Sequence, residues 1–210
     1  MIGKIEIDNL RADVAKVLSA KRFSHSIGVE RAALEIGKHC LPYKLYELSA
    51  AALLHDIAKE MTKEEQLLIM KECERELSAE DFTSEALYHA FCAPAVIKKR
   101  FPEFATDEIL SAVFLHTSGG SSMSLFDEII FVADFVEDTR SYDACKAERK
   151  KLFENLSAAE TIEEKIQILH TSTVSIIDFT LKYLEAKGMT VNSRMLMAKR
   201  TVLNKISYSG

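Results

Sequence analysis

The stretch ALLHDIAKEM, residues 52–61, runs from a short apolar segment directly into an imidazole and a carboxylate, those of His55 and Asp56. The pattern is typical of the end of a buried helix, where a charge is costly unless a partner compensates it. Two interpretations are open. Either His55 binds a backbone carbonyl and Asp56 caps a helix, or the two side chains bind a metal ion.

The composition around this stretch favours an all-α protein. The chain has 210 residues, enough for one large domain or two small ones, and 48% of them are hydrophobic and 28% charged. This is an ordinary balance for a globular protein. Only 7 glycines and 3 prolines occur, and so few breakers favour long helices over a sheet. We therefore expect eight to ten helices and essentially no sheet.

Charge and cysteine content exclude several classes of protein. The formal net charge is -5, and the scattered Lys and Arg residues form no long basic run. This pattern argues against nucleic-acid or membrane-surface binding, which needs clustered cations. The four cysteines show no C-x-x-C spacing, the N-terminus lacks an apolar signal core, and no apolar span is predicted. We expect a cytoplasmic protein with reduced thiols, and a homodimer is a reasonable prior.

Helical periodicity dominates the chain. The clearest predicted helices run from about Ser84 to Arg100, from Ser124 onward, from about Thr161 to Lys187, and from Asn192 or Ser193 onward. Pro94 is expected to bend or break the first of these. Ser124 and Asp127 resemble a capping box that opens the second, and Gly188 is placed to end the third.

Six polar residues interrupt apolar helix patterns. Four of the six histidines lie within or at the end of a predicted helix: His25, His55, His89 and His116. Asp134 lies inside IIFVADFVED, where a carboxylate is out of place, and Asp56 is the sixth. A single such histidine is usually a hydrogen-bonded core residue, and Asp134 could pair with an arginine. Six of them would each need a partner, whereas a metal centre accounts for all together.

Six candidate ligands are too many for one closed tetrahedral site, so two metal ions are indicated. Imidazoles combined with carboxylates suit zinc, iron or manganese. Neighbouring residues on a helix point about 100° apart, so His55 and Asp56 converge only at a helix end or around a metal between them. Because a carboxylate has two oxygens, Asp56 could bridge both ions while His55 binds one.

The order His25, His55–Asp56, Asp134 resembles that of the HD-domain metal-dependent phosphohydrolases, and His89 and His116 fit the two-metal branch of that superfamily. Four segments resemble the YqeK-like family of symmetrical bis(5'-nucleosyl)-tetraphosphatases: RFSHSIGVE (22–30), ALLHDIAKE (52–60), HTSGGSSMSLFDEIIFVADFVEDTR (116–140) and GMTVNSRMLMAKR (188–200). The resemblance implies one HD-type helical bundle over residues 1–210. Its core would span about 20–140, and C-terminal helices over 160–207 would pack on it.

The resemblance also implies the reaction and the ligand sets. Diadenosine tetraphosphate would be hydrolysed to two ADP by a hydroxide that the metals activate. The metal would be iron, as two ions, with manganese, cobalt or zinc as alternatives. The first ion would be held by His25, His55, Asp56 and Asp134, and the second by Asp56, His89 and His116. The implied catalytic residues are Asp56, Lys59, His89 and His116.

The substrate contacts are implied in the same way. The phosphates would lie near Lys59, Thr117 and Arg140, and the nucleotide near residues 190–194. The full set of implied contacts is Asp56, Ile57, Ala58, Lys59, His89, His116, Thr117, Asp134, Arg140, Thr190, Val191, Asn192, Ser193 and Arg194. Lys59 would share a face with His55 if the helix continued through both. From spacing alone, Lys59 and Arg140 are more often solvated surface charges.

Two alternatives stay open. The same metal centre could serve another (deoxy)nucleotide or a cyclic nucleotide, which product analysis would distinguish. The chain could instead be a helical module without catalytic activity, which senses nucleotides or holds structural metals. The six-residue ligand set argues against a structural site, which is usually closed and needs fewer ligands.

Overall fold

Ten α-helices and four short 3-10 turns make up the regular structure of residues 2–73 and 77–207, the part of the chain that this computed structural model describes. No strand occurs in these two ranges, so the prediction of an all-α protein with eight to ten helices is confirmed. The helices are α1 (Lys4–Val17), α2 (Ala20–Cys40), α3 (Leu45–Leu54), α4 (Lys63–Lys71), α5 (Tyr88–Arg100), α6 (Asp107–Leu115), α7 (Leu125–Val136), α8 (Asp143–Ala158), α9 (Ile162–Ala186) and α10 (Ser193–Ser207).

Local sequence signals set several helix boundaries. The predicted capping box opens α7: the Asp127 amide donates to Ser124 Oγ (3.2 Å), and the Ser124 amide donates to Asp127 Oδ2 (2.7 Å). After α9, Gly188 adopts a φ of 62°, a left-handed conformation that glycine reaches without steric cost. Helix α10 begins at Ser193, as predicted.

The segment before α5 differs from the prediction. A 3-10 turn, Glu85–Leu87, takes the place of the first turn of the helix expected from Ser84. Pro94 lies inside α5, and the helix continues through it to Arg100. Proline removes one backbone hydrogen bond, but Pro94 is buried, and α5 packs against α4 and α6. Tertiary packing therefore offsets that loss, and no break forms.

The hydrophobic core lies between five helices. Helix α2 packs against α3 and α7, while α6 packs against α3, α5 and α7. The largest fully buried side chains include Ile36, Leu53, Phe91, Ile109 and Phe126. Helix α9 packs on α7, α8 and α10. Within the described ranges, no helix is both long enough and apolar enough to cross a bilayer.

Helix α10 packs over the loop that joins α6 to α7. Thr201 Oγ1 donates to the carbonyl of Ser121 (3.0 Å), and Lys205 Nζ donates to that of Met123 (2.6 Å). Gly119 adopts a φ of 66°, and a Cβ placed there would stand 2.7 Å from Cβ of Ala198. The C-terminal helix thus fixes the loop that begins just after His116.

Candidate metal centre

The helix packing brings the six predicted ligands into one cluster. His25 lies in the second turn of α2, and Asp134 lies in the last turn of α7. His55 and His116 directly follow the last residues of α3 and α6, while His89 is the second residue of α5. Residues at helix ends are suited to be metal ligands because their side chains project beyond the packed face of the helix.

Asp56 is the residue that connects the cluster. Its carboxylate is buried, and its Oδ2 lies 3.5 Å from His55 Nε2 and 3.7 Å from His25 Nε2. The other oxygen, Oδ1, lies 3.3 Å from His89 Nε2 and 3.7 Å from His116 Nε2. One carboxylate therefore faces two different pairs of imidazoles, each pair with its own oxygen.

Two groups of donor atoms are close enough to hold a cation. In the first, ligand atoms of His25, His55 and Asp134 lie within 4.8 Å of one another, with His25 Nε2 and Asp134 Oδ1 3.0 Å apart. The second group joins His55, Asp56 and His116 in the same way. His89 lies beside it, because its Nε2 is 3.2 Å from Nε2 of His116. The predicted second site consisted of Asp56, His89 and His116, whereas this group contains His55 in place of His89.

The rings of His55 and His116 are oriented by backbone carbonyls of their own helices. His55 Nδ1 lies 2.6 Å from the oxygen of Ala52, and His116 Nδ1 lies 2.7 Å from that of Val113. A neutral imidazole that donates from Nδ1 keeps its lone pair on Nε2, the atom that faces the cluster. For His55 the two interpretations of residues 52–61 therefore combine: one ring nitrogen binds a carbonyl, and the other faces the candidate metal site.

The electrostatics of the cluster suit metal binding. Burial opposes the charge of Asp56, but the surrounding histidines outweigh it and hold its pKa well below the ordinary value. Asp134 is half-buried, and Arg140 and His25 outweigh the effect of burial and lower its pKa strongly. Burial lowers the pKa of His89 well below its usual value. Anionic carboxylates and a neutral imidazole are the forms that bind metals.

His25 differs from the other histidines. Burial lowers its pKa, but the hydrogen bonds to Asp134 and Glu137 outweigh burial and raise the pKa to about 9. Glu137 was not among the residues predicted from the sequence. It directly follows α7 within the charged segment FVEDTR, so the only signal was its position three residues after Asp134.

Polar and cationic side chains line the cluster. Lys59 Nζ lies 3.2 Å from both ring nitrogens of His89, and Thr117 Oγ1 lies 3.3 Å from His89 Nε2. Arg140 Nη2 donates to Asp134 Oδ1 at 2.6 Å. The structure thus brings all three residues predicted to lie near the phosphates to the ligand candidates.

The backbone around Lys59 differs from the prediction, and a further cation, Arg22, lies at the cluster. Helix α3 ends at Leu54, so the helix face that His55 and Lys59 would have shared does not form. A turn brings Lys59 to the cluster instead, with its amide donating to the carbonyl of Asp56 (2.9 Å). Arg22 also reaches the cluster, since its Nη1 donates to Asp56 Oδ2 at 2.7 Å.

Other predicted substrate contacts lie elsewhere. Ile57 and Ala58 follow Asp56 directly, but their side chains are buried in the hydrophobic core. Thr190 is exposed and Val191 is half-buried, and both precede α10. The structure gives no bond from these four side chains to the cluster.

The rest of segment 190–194 is anchored to the 3-10 turn Ala79–Phe82. Arg194 donates from Nε and Nη2 to both oxygens of Asp81 (2.9 and 2.8 Å), and Asn192 donates to the same carboxylate (3.0 Å). Ser193 donates from its amide and its hydroxyl to Glu80 (2.8 and 2.5 Å). The Arg194 guanidinium also lies over the rings of Phe91 and Phe114. These contacts favour a structural role for Arg194 over contact with substrate.

Comparisons with known proteins agree with this arrangement. Residues 22–138, more than half of the chain, match the family described as HD domain. The chain is 30% identical to a protein named "Bis(5'-nucleosyl)-tetraphosphatase, symmetrical" from Halalkalibacterium halodurans, over 79% of this chain and 82% of that one. It is also 30% identical to the protein of the same name from Bacillus subtilis, over 70% and 78%. A third protein of that name, from Staphylococcus aureus, is 24% identical over 98% and 96%.

A solved structure shares the fold. It is a crystal structure described as a predicted HD superfamily hydrolase involved in NAD metabolism from Clostridium acetobutylicum. The two structures superpose with a TM-score of 0.80 over 98% of this chain and 100% of that one, at 23% sequence identity. Together with the match over residues 22–138, this similarity leads to one conclusion: the chain belongs to the HD-domain family.

Proposed function

We propose that this protein is a metal-dependent hydrolase that cleaves diadenosine tetraphosphate symmetrically to two ADP, at a centre of two cations. The observation that carries the proposal is the position of Asp56, whose two oxygens face two separate pairs of histidines. A carboxylate placed in this way suits a bridge between two ions. The relatives at 30% identity carry the name of this activity.

The donor chemistry fits divalent transition metals. Imidazole nitrogens and carboxylate oxygens suit iron, manganese, cobalt and zinc. The first cation would be held by His25, His55, Asp56 and Asp134, and the second by Asp56, His89 and His116. We propose iron as the resident metal because the resemblance to the YqeK-like family implies it.

Bound divalent cations supply an activated water at neutral pH and neutralise charge on phosphoryl oxygens. The protein's contribution is to hold the two ligand groups around the shared Asp56 carboxylate. Symmetric cleavage adds one water across the central P–O–P bond, and the oxygen of that water joins one phosphorus. The leaving oxygen stays with the other phosphorus, so both products are ADP.

Lys59, Thr117 and Arg140 would bind the phosphate chain. Lys59 offers an ammonium beside His89, and Thr117 offers a hydroxyl to the same side of the cluster. The Arg140 guanidinium, beside Asp134, is a planar fork that matches phosphate oxygens. Fixed cations of this kind stabilise the charge that develops during phosphoryl transfer.

The test is product identity. The purified, metal-loaded protein is incubated with diadenosine tetraphosphate in ¹⁸O-enriched water. The nucleotides are then separated, and their masses are measured by mass spectrometry. ADP alone, with one ¹⁸O per pair of products, supports the proposal. AMP together with ATP would show that a different P–O–P bond is cleaved, and absence of turnover would reject this substrate. An Asp56→Ala variant that kept full activity without bound metal would overturn the metal-dependent mechanism.

A further inference from the structure

His25 is oriented differently from His55 and His116. The latter two donate from Nδ1 to carbonyls at the ends of their own helices. His25 is the sixth residue of α2 and lies inside the helix, where the helix uses its own carbonyls for backbone hydrogen bonds. Its Nδ1 lies 3.2 Å from Oε1 of Glu137, so a carboxylate takes the place of the carbonyl.

Glu137 is itself held firmly. Its side chain is buried, and its Oε2 accepts from the amide of Thr139 (2.7 Å) while Oε1 accepts from the Thr139 hydroxyl (2.7 Å). Arg149, on α8, donates to the backbone carbonyls of Val136, Glu137 and Arg140. Hydrogen bonds thus hold the turn after α7 through the Glu137 side chain and through the backbone. The carboxylate therefore faces His25 in one position.

Helix α2 carries no side chain at the point where the Glu137 carboxylate lies. Gly28 is one turn beyond His25, and a Cβ placed on it would overlap Oε2 of Glu137 and stand 3.3 Å from its Cδ. Gly28 has an ordinary helical position and is buried. Its lack of a side chain thus provides the space in which Glu137 can reach the ring of His25.

We infer that Glu137 is a positioning residue for His25 and that Gly28 provides the space for it. In the neutral form of His25, which is the form that binds a metal, the carboxylate accepts the Nδ1 proton. This bond fixes the tautomer and directs the Nε2 lone pair to the cluster, where Asp134 Oδ1 lies 3.0 Å away. A carboxylate partner also makes an imidazole a stronger metal ligand than a carbonyl partner does. This inference rests on the proposed cation at His25 and adds the residue that tunes its affinity.

The experiment compares zinc binding by the full-length wild type with two variants, Glu137→Gln and Gly28→Ala, in competition with a chelator. Glu137→Gln keeps the shape but removes the charge, and Gly28→Ala displaces the carboxylate without changing any ligand. We expect both variants to bind one of the two zinc ions about 10- to 100-fold more weakly. The ion that is associated with His89 and His116 should bind with unchanged affinity.

Glu148→Gln is the matched control. Glu148 is another buried carboxylate, and its described partners are the hydroxyls of Ser172 and Ser175 (2.7 and 2.9 Å). Its loss should leave both zinc affinities unchanged, which separates the role of Glu137 from a general effect of removing a buried charge.

A spectroscopic measurement separates positioning from general structural support. In zinc-loaded protein with ¹⁵N-labelled histidines, the Nδ1 proton of His25 should resonate far downfield because it is bonded to a carboxylate. Glu137→Gln should move this resonance upfield and leave those of His55 and His116 in place. A merely structural role would shift all three.

Two outcomes would overturn the inference. If Glu137→Gln bound each of the two zinc ions as tightly as the wild type does, the inference would be rejected and the proposed metal centre would stay intact. A wild-type chain that bound no zinc, iron or manganese would instead overturn the metal centre and this inference with it. Because Gly28→Ala changes neither Glu137 nor a ligand, it provides the same test if Glu137→Gln does not fold.

Discussion

Oδ1 of Asp56 lies 3.3 Å from Nε2 of His89, on the side of the carboxylate away from His25 and His55. The pair shows how the two halves of the cluster are connected. Each half contributes its own imidazoles, while the negative charge of one buried carboxylate is common to both. A change in one half should therefore be separable from a change in the other, except at Asp56 and at His55, which belongs to both groups of donor atoms.

Metal content should reflect this division. We expect His25→Gln to lose one tightly bound cation, His89→Gln to lose the other, and Asp56→Asn to lose tight binding of both. Metal per chain after gel filtration, measured by mass spectrometry, checks the pattern. His39→Gln is the control, since the ring of His39 lies 3.9 Å from Glu35 on the surface of α2. Two tight cations in Asp56→Asn would contradict a bridging carboxylate.

Lys59 should act on the substrate rather than on the metals. Burial lowers its pKa, although neighbouring Asp56 and Asp134 oppose the shift. Lys59→Met should lower kcat/KM for diadenosine tetraphosphate roughly 100-fold, the usual cost of removing one charge-stabilising donor, and leave metal content unchanged. Lys63→Met is the control, because that ammonium pairs with Glu85 on the surface. Loss of metal in Lys59→Met would show that the residue acts through His89.

Asp81 should contribute pH-dependent stability. Burial opposes its charge, but Arg194, Asn192 and the amide of Ser78 outweigh burial and lower its pKa to about 2. Because this folded-state pKa lies below the ordinary value of 3.8, the stabilisation is present above about pH 4 and is lost as the pH falls through about 2. We estimate it at about 2 kcal/mol at neutral pH.

Urea unfolding of wild type and Asp81→Asn from pH 7 to pH 2 checks this prediction. The difference in the free energy of unfolding should be largest at pH 7 and should shrink towards the acid end, where the wild-type carboxyl group is also neutral. A difference that stayed constant with pH would mean that the charge of Asp81 is not what stabilises the anchored segment.

Gly119 and Gly188 provide a matched pair of substitutions. Their φ angles are 66° and 62°, but a Cβ on Gly119 would stand 2.7 Å from that of Ala198, whereas a Cβ on Gly188 would meet nothing within 4 Å. Gly188→Ala should cost only the strain of a positive φ, about 1 kcal/mol. Gly119→Ala should cost a further 1–3 kcal/mol or so from overpacking.

Urea denaturation measures both changes, and the double variant Gly119→Ala/Ala198→Gly separates the two causes. The double variant should recover part of the steric cost of Gly119→Ala. The recovery is reduced by the stability that α10 loses when Ala198 is replaced by glycine. If the two single substitutions lowered the free energy of unfolding equally, α10 would shift without measurable cost where it packs on the loop after His116.

The sequence predicted the fold class and the clustered ligands because their signals are local. Scarce glycine and proline indicate helices, and a carboxylate such as Asp134 stands out in an apolar helix. Glu137 was missed because it lies among charged residues just beyond that helix, where solvent is the usual expectation. Arg194 was expected near the nucleotide, but its partner Asp81 is distant in the sequence, and periodicity contains no information on such pairs.

The ligand candidates come from α2, from the ends of α3 and α6, from α5 and from α7, and only His55 and Asp56 are adjacent in the chain. An unfolded chain would therefore hold no preformed cluster, and a cation would bind the native state alone. Binding of this kind adds about 2.7 kcal/mol of stability when the free cation is at 100 times its dissociation constant. Metal starvation would then reduce the abundance of the protein through proteolysis of unfolded chains, in addition to its activity.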